Sequence, residues 1–286
     1  MAAPAKGRGA TFNPANRYQS EQREPVDDGW VAAPEDGDSE PPPLKTTVRI
    51  VAARTIISRN DSPDIPFTQS INPYQGCEHG CVYCYARPTH AYLDLSPGLD
   101  FETKLFAKPD AARLLRDELG KPGYRCEPIA LGANTDPYQP IEREWKITRS
   151  VLEVLAECDH PLTITTKGVL IERDLDLLAP LAAKGLVRVF VSIAMLDREL
   201  ARKLDPRAPA PHRRLQMIKA LRDAGWGGDY AADDVAWWMA DPEHGNNGEV
   251  AHLLHRVLKQ ELGFEVHLDD EQAIPWLNAN RPGWDA

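Results

Sequence analysis

The chain has 286 residues, 33 basic against 43 acidic side chains, and five cysteines. That length can bury a full core, as one barrel-like domain or two smaller ones, and no apolar run reaches the ~18–20 residues of a membrane span. Three clustered cysteines and two isolated ones do not make a secreted disulfide framework. Lys6 and Arg8 have no apolar stretch behind them, so no signal peptide is expected and a reducing cytoplasm is the expected compartment.

The negative charge sits at the ends. Residues 1–44 hold four basic and eight acidic side chains, and residues 229–286 hold three and twelve. The region between is mildly basic. A nucleic-acid partner is compatible with it, although no large basic footprint demands one.

Residues 1–44 read as a disordered acidic, Pro-rich tail ending in Pro41-Pro42-Pro43, with no sustained apolar periodicity. From 45 to 228 strand and helix signals alternate. Residues 67–74 predict a short strand. Residues 109–119 predict a helix with Leu114, Leu115 and Leu119 on one face. Residues 128–133 predict a buried strand, and 142–158 an amphipathic helix with Ile147, Val151 and Leu155 four apart. A strand over 161–166, a helix over 171–183, a very apolar strand over 186–194 and a helix over 211–224 follow. Four parallel βα units are the expected architecture.

Between the first strand and the first helix lies Gly76-Cys77-Glu78-His79-Gly80-Cys81-Val82-Tyr83-Cys84. The spacing C-x3-C-x2-C puts three thiolates on one tight loop. A structural zinc site takes four ligands, and an electron-transfer cubane takes four cysteines. Three thiolates hold three irons of a [4Fe–4S] cube and leave the fourth iron open to a substrate or cofactor. Gly76 and Gly80 suit a loop wrapped on a bulky inorganic core, because glycine accepts positive φ and close backbone approach. The rival readings are a zinc knuckle completed by His79 or His90, and three ordinary buried thiols. Cys126 and Cys158 look like small core residues.

This loop resembles that of the radical S-adenosylmethionine (SAM) proteins, C-x3-C-x-aromatic-C, with Tyr83 in the aromatic position. The resemblance is strongest to the subgroup related to spore photoproduct lyase, often described as DNA repair photolyase-like. It rests on Asn60-Asp61-Ser62-Pro63-Asp64-Ile65, Ser70 to Tyr74, Ala86-Arg87-Pro88-Thr89-His90, Ser96 to Lys104, and Asn134 to Glu142. It implies a partial (β/α) barrel with a [4Fe–4S] cluster on Cys77, Cys81 and Cys84 and SAM at the carboxyl ends of the strands. It implies reductive cleavage of SAM to a 5′-deoxyadenosyl radical, a flavodoxin- or ferredoxin-type electron donor, and no membrane partner. The substrate is unassigned, with modified nucleic acid the family-level expectation.

Within such a barrel the positions after the strands become cofactor-binding candidates. Asn134 and Asp136 follow the second strand, where related enzymes contact the methionyl amine. Lys167 follows the third strand. Ser192 ends the fourth, where a ribose contact is usual. Arg207, with Arg213 and Arg214 near it, offers a guanidinium for the methionine carboxylate. The thymine-dimer lyases return a hydrogen atom from a thiol just after the second strand; here Ala133-Asn134-Thr135-Asp136 has no cysteine.

After Ala224-Gly225 the pattern changes. No fifth apolar strand follows, and 229–286 reads as an atypical acidic, α-rich segment. Within it, 249–262 predicts an amphipathic helix, expected to cover an otherwise open sheet edge, and 264–268 a short strand. A second functional reading follows: a cluster-binding interaction or redox protein that lacks part of the SAM pocket.

Overall fold

The computed structural model describes residues 7–16, 18 and 44–224. The tail over 19–43 and the helix and strand expected within 229–286 lie outside the described residues.

In chain order the strands and helices are β1 (Thr47–Ile50), β2 (Ile57–Arg59), β3 (Gln69–Ile71), β4 (Tyr74–Gln75), α1 (Leu99–Thr103), β5 (Lys104–Ala107), α2 (Ala111–Leu119), β6 (Ile129–Leu131), α3 (Glu142–Trp145), α4 (Ile147–Glu157), β7 (Leu162–Thr166), α5 (Leu175–Ala183), β8 (Val187–Val191), α6 (Arg198–Leu204) and α7 (Pro211–Asp223). Two 3₁₀ segments, Arg87–Leu93 and Val169–Asp174, complete the set.

The main sheet has the order β2-β3-β6-β7-β8. β3, β6, β7 and β8 are parallel, and β2 joins antiparallel at one edge. The fold is therefore α/β with four parallel strands, as expected, but its sheets are mixed. A second sheet, β1-β5-β4, was not legible in the sequence. The expected strand over 67–74 breaks because Asn72-Pro73 interrupts the ladder: Pro73 has no N–H to donate. Its carbonyl instead accepts from Lys108 N, and β4 crosses to pair with β5.

The core lies between the main sheet and α2, α4, α5 and α7. Ile71, Ile129, Leu131, Leu162 and Ile164 from the strands meet Leu115, Val151, Leu155, Leu178 and Met217 from the helices. Each such burial contributes about 1.5–3 kcal/mol before entropy is subtracted. This packing anchors the carboxyl ends of four strands in one row.

The helix expected over 142–158 is two helices. Lys146 adopts a left-handed conformation (φ +51°) between α3 and α4. The cause is Glu142, fully buried, whose carboxylate accepts from Thr148 N at 2.9 Å and Arg149 N at 3.2 Å. A carboxylate bonded to free amides at a helix amino terminus favours starting a new helix there over continuing the old one. Arg173 closes the same carboxylate at 2.7 Å.

Two further expectations are corrected. Residues 7–16, within the segment expected to be disordered, pack on the body of the protein, with Arg8 and Asn16 buried. Cys126 and Cys158 are exposed, not core residues: one precedes β6 and the other caps the end of α4. No described helix is long and apolar enough to cross a membrane.

Candidate metal centre and cofactor cavity

The cysteine loop leaves β4 at the carboxyl end of β3. Gly76 makes the exit, at φ +77°, where a Cβ would lie 2.6 Å from the Leu105 side chain. Several backbone groups of the loop are bonded to other parts of the chain. Cys77 N donates to Phe101 O at 3.0 Å, and Glu78 N donates to Gln139 Oε1 at 3.1 Å. Gln139 donates back to Gly76 O at 3.0 Å. Arg207 N donates to His79 O at 3.2 Å, and Val82 N to Leu204 O at 2.9 Å. The Arg87 guanidinium donates to Cys81 O from Nε at 3.1 Å and from an Nη at 2.9 Å. A loop with no regular structure is thus held as firmly as a strand, because buried amides and carbonyls need partners.

Cys77 and Cys81 are buried and Cys84 is half-buried. All three line one cavity of about 210 Å³, together with His79, Tyr83, Tyr85, Gly132, Asn134, Thr135, Asp136, Thr165, Thr166, Lys167 and Ser192. The loop thus meets the carboxyl ends of β6, β7 and β8. Gly132, just past β6, permits the close approach of β6 to β7 at this end: at φ +86°, a Cβ would stand 2.3 Å from Thr165 O.

Burial pushes the Cys81 thiol up to about 12; the nearby Lys167 ammonium lowers it and Asp205 raises it. Cys77 is driven upward by burial and then by the Asp136 charge. Thiols raised this far are protonated at neutral pH, so a cation must displace their protons to bind. Among the described residues no three His, Cys, Asp or Glu side chains converge on a point suited to a single metal ion. Three thiols lining one cavity match the kind of ligand that an iron–sulfur core takes.

Asp136, expected to bind the cofactor, lines the cavity with its carboxylate bonded to protein donors. Its carboxylate accepts from Thr166 Oγ1 at 2.6 Å, Lys167 N at 2.7 Å and Tyr138 N at 2.9 Å, and lies 3.2 Å from His79 Nδ1. Burial pushes its pKa up, but His79 and the bonds from Lys167 N and Thr166 overcome that and hold it at about 2. The group is an anion tying β6, β7 and the cysteine loop together. The Asn134 side chain, in the same cavity, makes no hydrogen bond with the described residues; its backbone N–H is taken by Asn72 Oδ1 at 3.0 Å.

Lys167 places its ammonium 5.6 Å from the Tyr83 ring centroid, a cation–π contact across the cavity. Ser192 also lines the cavity, with its N–H bonded to Thr166 O at 3.0 Å and its carbonyl accepting from Arg214 at 2.9 Å.

Arg207 does not join them. Its guanidinium pairs with Glu78 at 3.1 Å on the far side of the loop, in a separate groove of about 800 Å³. The physical reason is local: Glu78, between Cys77 and His79, offers a carboxylate closer than the cavity. The neighbouring cations are also spent. Arg213 pairs with Glu172, and Arg214, buried, pairs with Asp205 at 3.1 Å.

Sequence reasoning missed Glu102, Arg87, Gln139 and Asp205. The first three lie within the stretches that carry the family resemblance, so the signal was present without a role. Asp205 lies against Cys81 and Tyr83 while bonded to Arg214. Nothing in the local pattern at 205 announces that contact.

A thiol-lined cavity at the carboxyl ends of the parallel strands of an α/β fold offers an iron–sulfur type of ligand set. The family model of the Radical SAM superfamily matches residues 71–230, more than half of the chain, and the chain belongs to that superfamily. An uncharacterized protein of Mycobacterium tuberculosis is 47% identical over 161 residues, covering 56% of this chain and 47% of the relative. An uncharacterized protein of Methanocaldococcus jannaschii is 27% identical over 157 residues, covering 54% and 55%. The chain spans about half the length of these curated relatives. Among solved structures, spore photoproduct lyase complexed with dinucleoside spore photoproduct is similar at 17% identity and a TM-score of 0.46, over 62% of this chain and 48% of that one.

Proposed function

We propose that this protein is a radical SAM enzyme whose Cys77, Cys81 and Cys84 hold a [4Fe–4S] cluster with one open iron. The observation that carries the reading is the shared cavity: three thiols of one loop and the ends of β6, β7 and β8 line the same space. When bound, the cluster and SAM supply an electron and, from it, a 5′-deoxyadenosyl radical. The electron comes from a flavodoxin- or ferredoxin-type donor.

The chain's own groups have distinct tasks in this reading. The Asn134 amide, free to donate and accept, addresses the amino-acid end of SAM. Lys167 brings a positive charge over Tyr83, suited to a carboxylate or a ribose oxygen. Ser192 presents its hydroxyl from the end of β8. Asp136 stays ionised and fixed, so it orients His79 and the Lys167 backbone and does not itself bind the ligand. Arg207 is assigned to holding the loop through Glu78.

Modified nucleic acid is the first substrate class to assay, on the strength of the motif resemblance. A thiol-based hydrogen return is not part of the reading, because Ala133–Asp136 contains no cysteine. The test is anaerobic reconstitution, reduction and addition of SAM, with 5′-deoxyadenosine quantified against Cys81→Ala. Product above the control supports the enzyme. An intact cluster that yields none sinks it and favours a cluster-binding redox or interaction protein.

A further inference from the structure

The amino-terminal residues Gly7 to Asn16 pack on the body of the protein beside the cysteine loop: Gly9 meets Gly80 directly, and Arg8 and Ala10 reach the loop through Glu102 and Thr46. Glu102, fully buried at the end of α1, is the centre of the contact. Its Oε2 accepts from Gly9 N at 3.0 Å, and its Oε1 accepts from Ala10 N at 2.8 Å and from Arg87 at 2.6 Å. The same Arg87 guanidinium donates twice to Cys81 O. A buried carboxylate therefore joins the amino-terminal segment to the backbone of a cysteine that lines the cavity.

Two further contacts reinforce it. Gly9 packs on Gly80 so closely that a Cβ would fall 1.7 Å from Gly80 O, and Gly80 itself sits at φ +69° with Glu102 Oε2 beside it. Arg8, buried, donates to Glu102 O at 2.8 Å, Leu44 O at 2.9 Å and Thr46 Oγ1 at 2.9 Å. Thr46 Oγ1 in turn donates to Glu78. The segment thus reaches the loop at Glu78, Gly80 and Cys81, between and at two of the three thiols. Burying a guanidinium and a carboxylate costs several kcal/mol unless both are fully bonded, which is a poor investment for a tail that only covers surface.

We propose that Arg8, Gly9 and Ala10 are positioning residues for the cluster: they hold the Gly80–Cys81 turn, through Glu102 and Arg87, in the shape that presents Cys81 to iron. This rests on the cluster reading above. Groups that orient a metal ligand without touching the metal are worth about 10–100-fold in metal affinity. Arg8 keeps Glu102 and Glu78 in place, Gly9 leaves room for the Gly80 carbonyl, and the Ala10 amide completes the Glu102 carboxylate.

The experiment compares the full chain with Arg8→Ala, Gly9→Val and Arg149→Ala. Arg149 pairs with Asp174 and Asp176 in the helical layer, outside the loop and its cavity. It controls for destabilisation of the fold alone. Each protein is reconstituted anaerobically; bound iron and acid-labile sulfide, the spectrum of the reduced cluster and its lifetime in air are measured, alongside thermal unfolding of the apo form. The expected result is about a ten-fold loss of cluster occupancy or lifetime in Arg8→Ala and Gly9→Val. Arg149→Ala unfolds at a lower temperature yet loads fully. Full loading with unchanged lifetime in both loop-side variants overturns the proposal, as does an equal loss in Arg149→Ala. If the unaltered chain takes up no iron and sulfide, the cluster reading itself fails and the positioning role with it.

Discussion

Asp136 Oδ2 lies 3.2 Å from His79 Nδ1, so the end of β6 is joined to the middle of the cysteine loop by one buried contact. The same carboxylate bonds Thr166 and Lys167 at the end of β7. One side chain therefore sets the distance between the thiols and two strand ends.

Removing it leaves His79 and three donors without their acceptor. Asp136→Ala is expected to lower the unfolding free energy by about 3 kcal/mol, the usual loss when one member of a buried pair is deleted. Urea denaturation of the apo protein measures it. A change below ~1 kcal/mol would show that the contact is not structural.

Lys167 is expected to separate binding from folding. Lys167→Met removes a contact with Tyr83 worth about 0.5–1 kcal/mol to the fold. SAM affinity of the reconstituted protein, followed by equilibrium dialysis, is expected to fall about ten-fold or more, the worth of one charge-assisted hydrogen bond. Unchanged SAM affinity would remove Lys167 from the cofactor site.

Gly132 has no substitute in this fold. Gly132→Ala puts a methyl group 2.3 Å from Thr165 O at a positive φ, at a cost of about 1–3 kcal/mol. Since Gly132 lines the cavity, the variant is also expected to load less cluster. A wild-type unfolding midpoint would contradict the tight β6–β7 approach described here.

Stability is expected to fall on mild acidification. Burial lowers His160 and His90 from their ordinary 6.5. The His90 Nε2 donates to Lys104 O at 2.9 Å, and Nδ1 has no hydrogen-bond partner among the described residues. Both rings are neutral in the folded chain. Below pH 6.5 the unfolded chain takes up protons that the folded one does not, so unfolding gains as pH falls. Asp136 acts elsewhere: its contribution is present above 3.8 and is lost only as pH falls through about 2. Urea midpoints measured from pH 8 to 5 test this, and His160→Gln should flatten part of the slope. Midpoints independent of pH over that range would refute it.

The sequence by itself determined the three thiols, their spacing and four parallel strands, because each is a local pattern. Cys77, Cys81 and Cys84 share one loop, Leu131 and Val191 sit in short apolar runs, and Leu162 and Ile164 alternate with threonines as a strand does. That Asn134, Lys167 and Ser192 line one cavity follows from their places at or after the ends of parallel strands, which face one end of the sheet, while Tyr83 comes with the cysteine loop. What only the tertiary structure decided was how charges are spent. Arg207 pairs with Glu78, Arg214 with Asp205, Arg87 with Glu102, and Asp136 accepts from three donors beside His79, over separations of up to 129 residues. Local sequence carries no trace of those partners, since a charged side chain looks alike whether it is solvated, spent on a distant carboxylate or free for a ligand. The packing of Arg8–Ala10 on the cysteine loop was hidden for a related reason: its stability comes from one buried carboxylate and a glycine contact, not from an apolar face that periodicity would reveal.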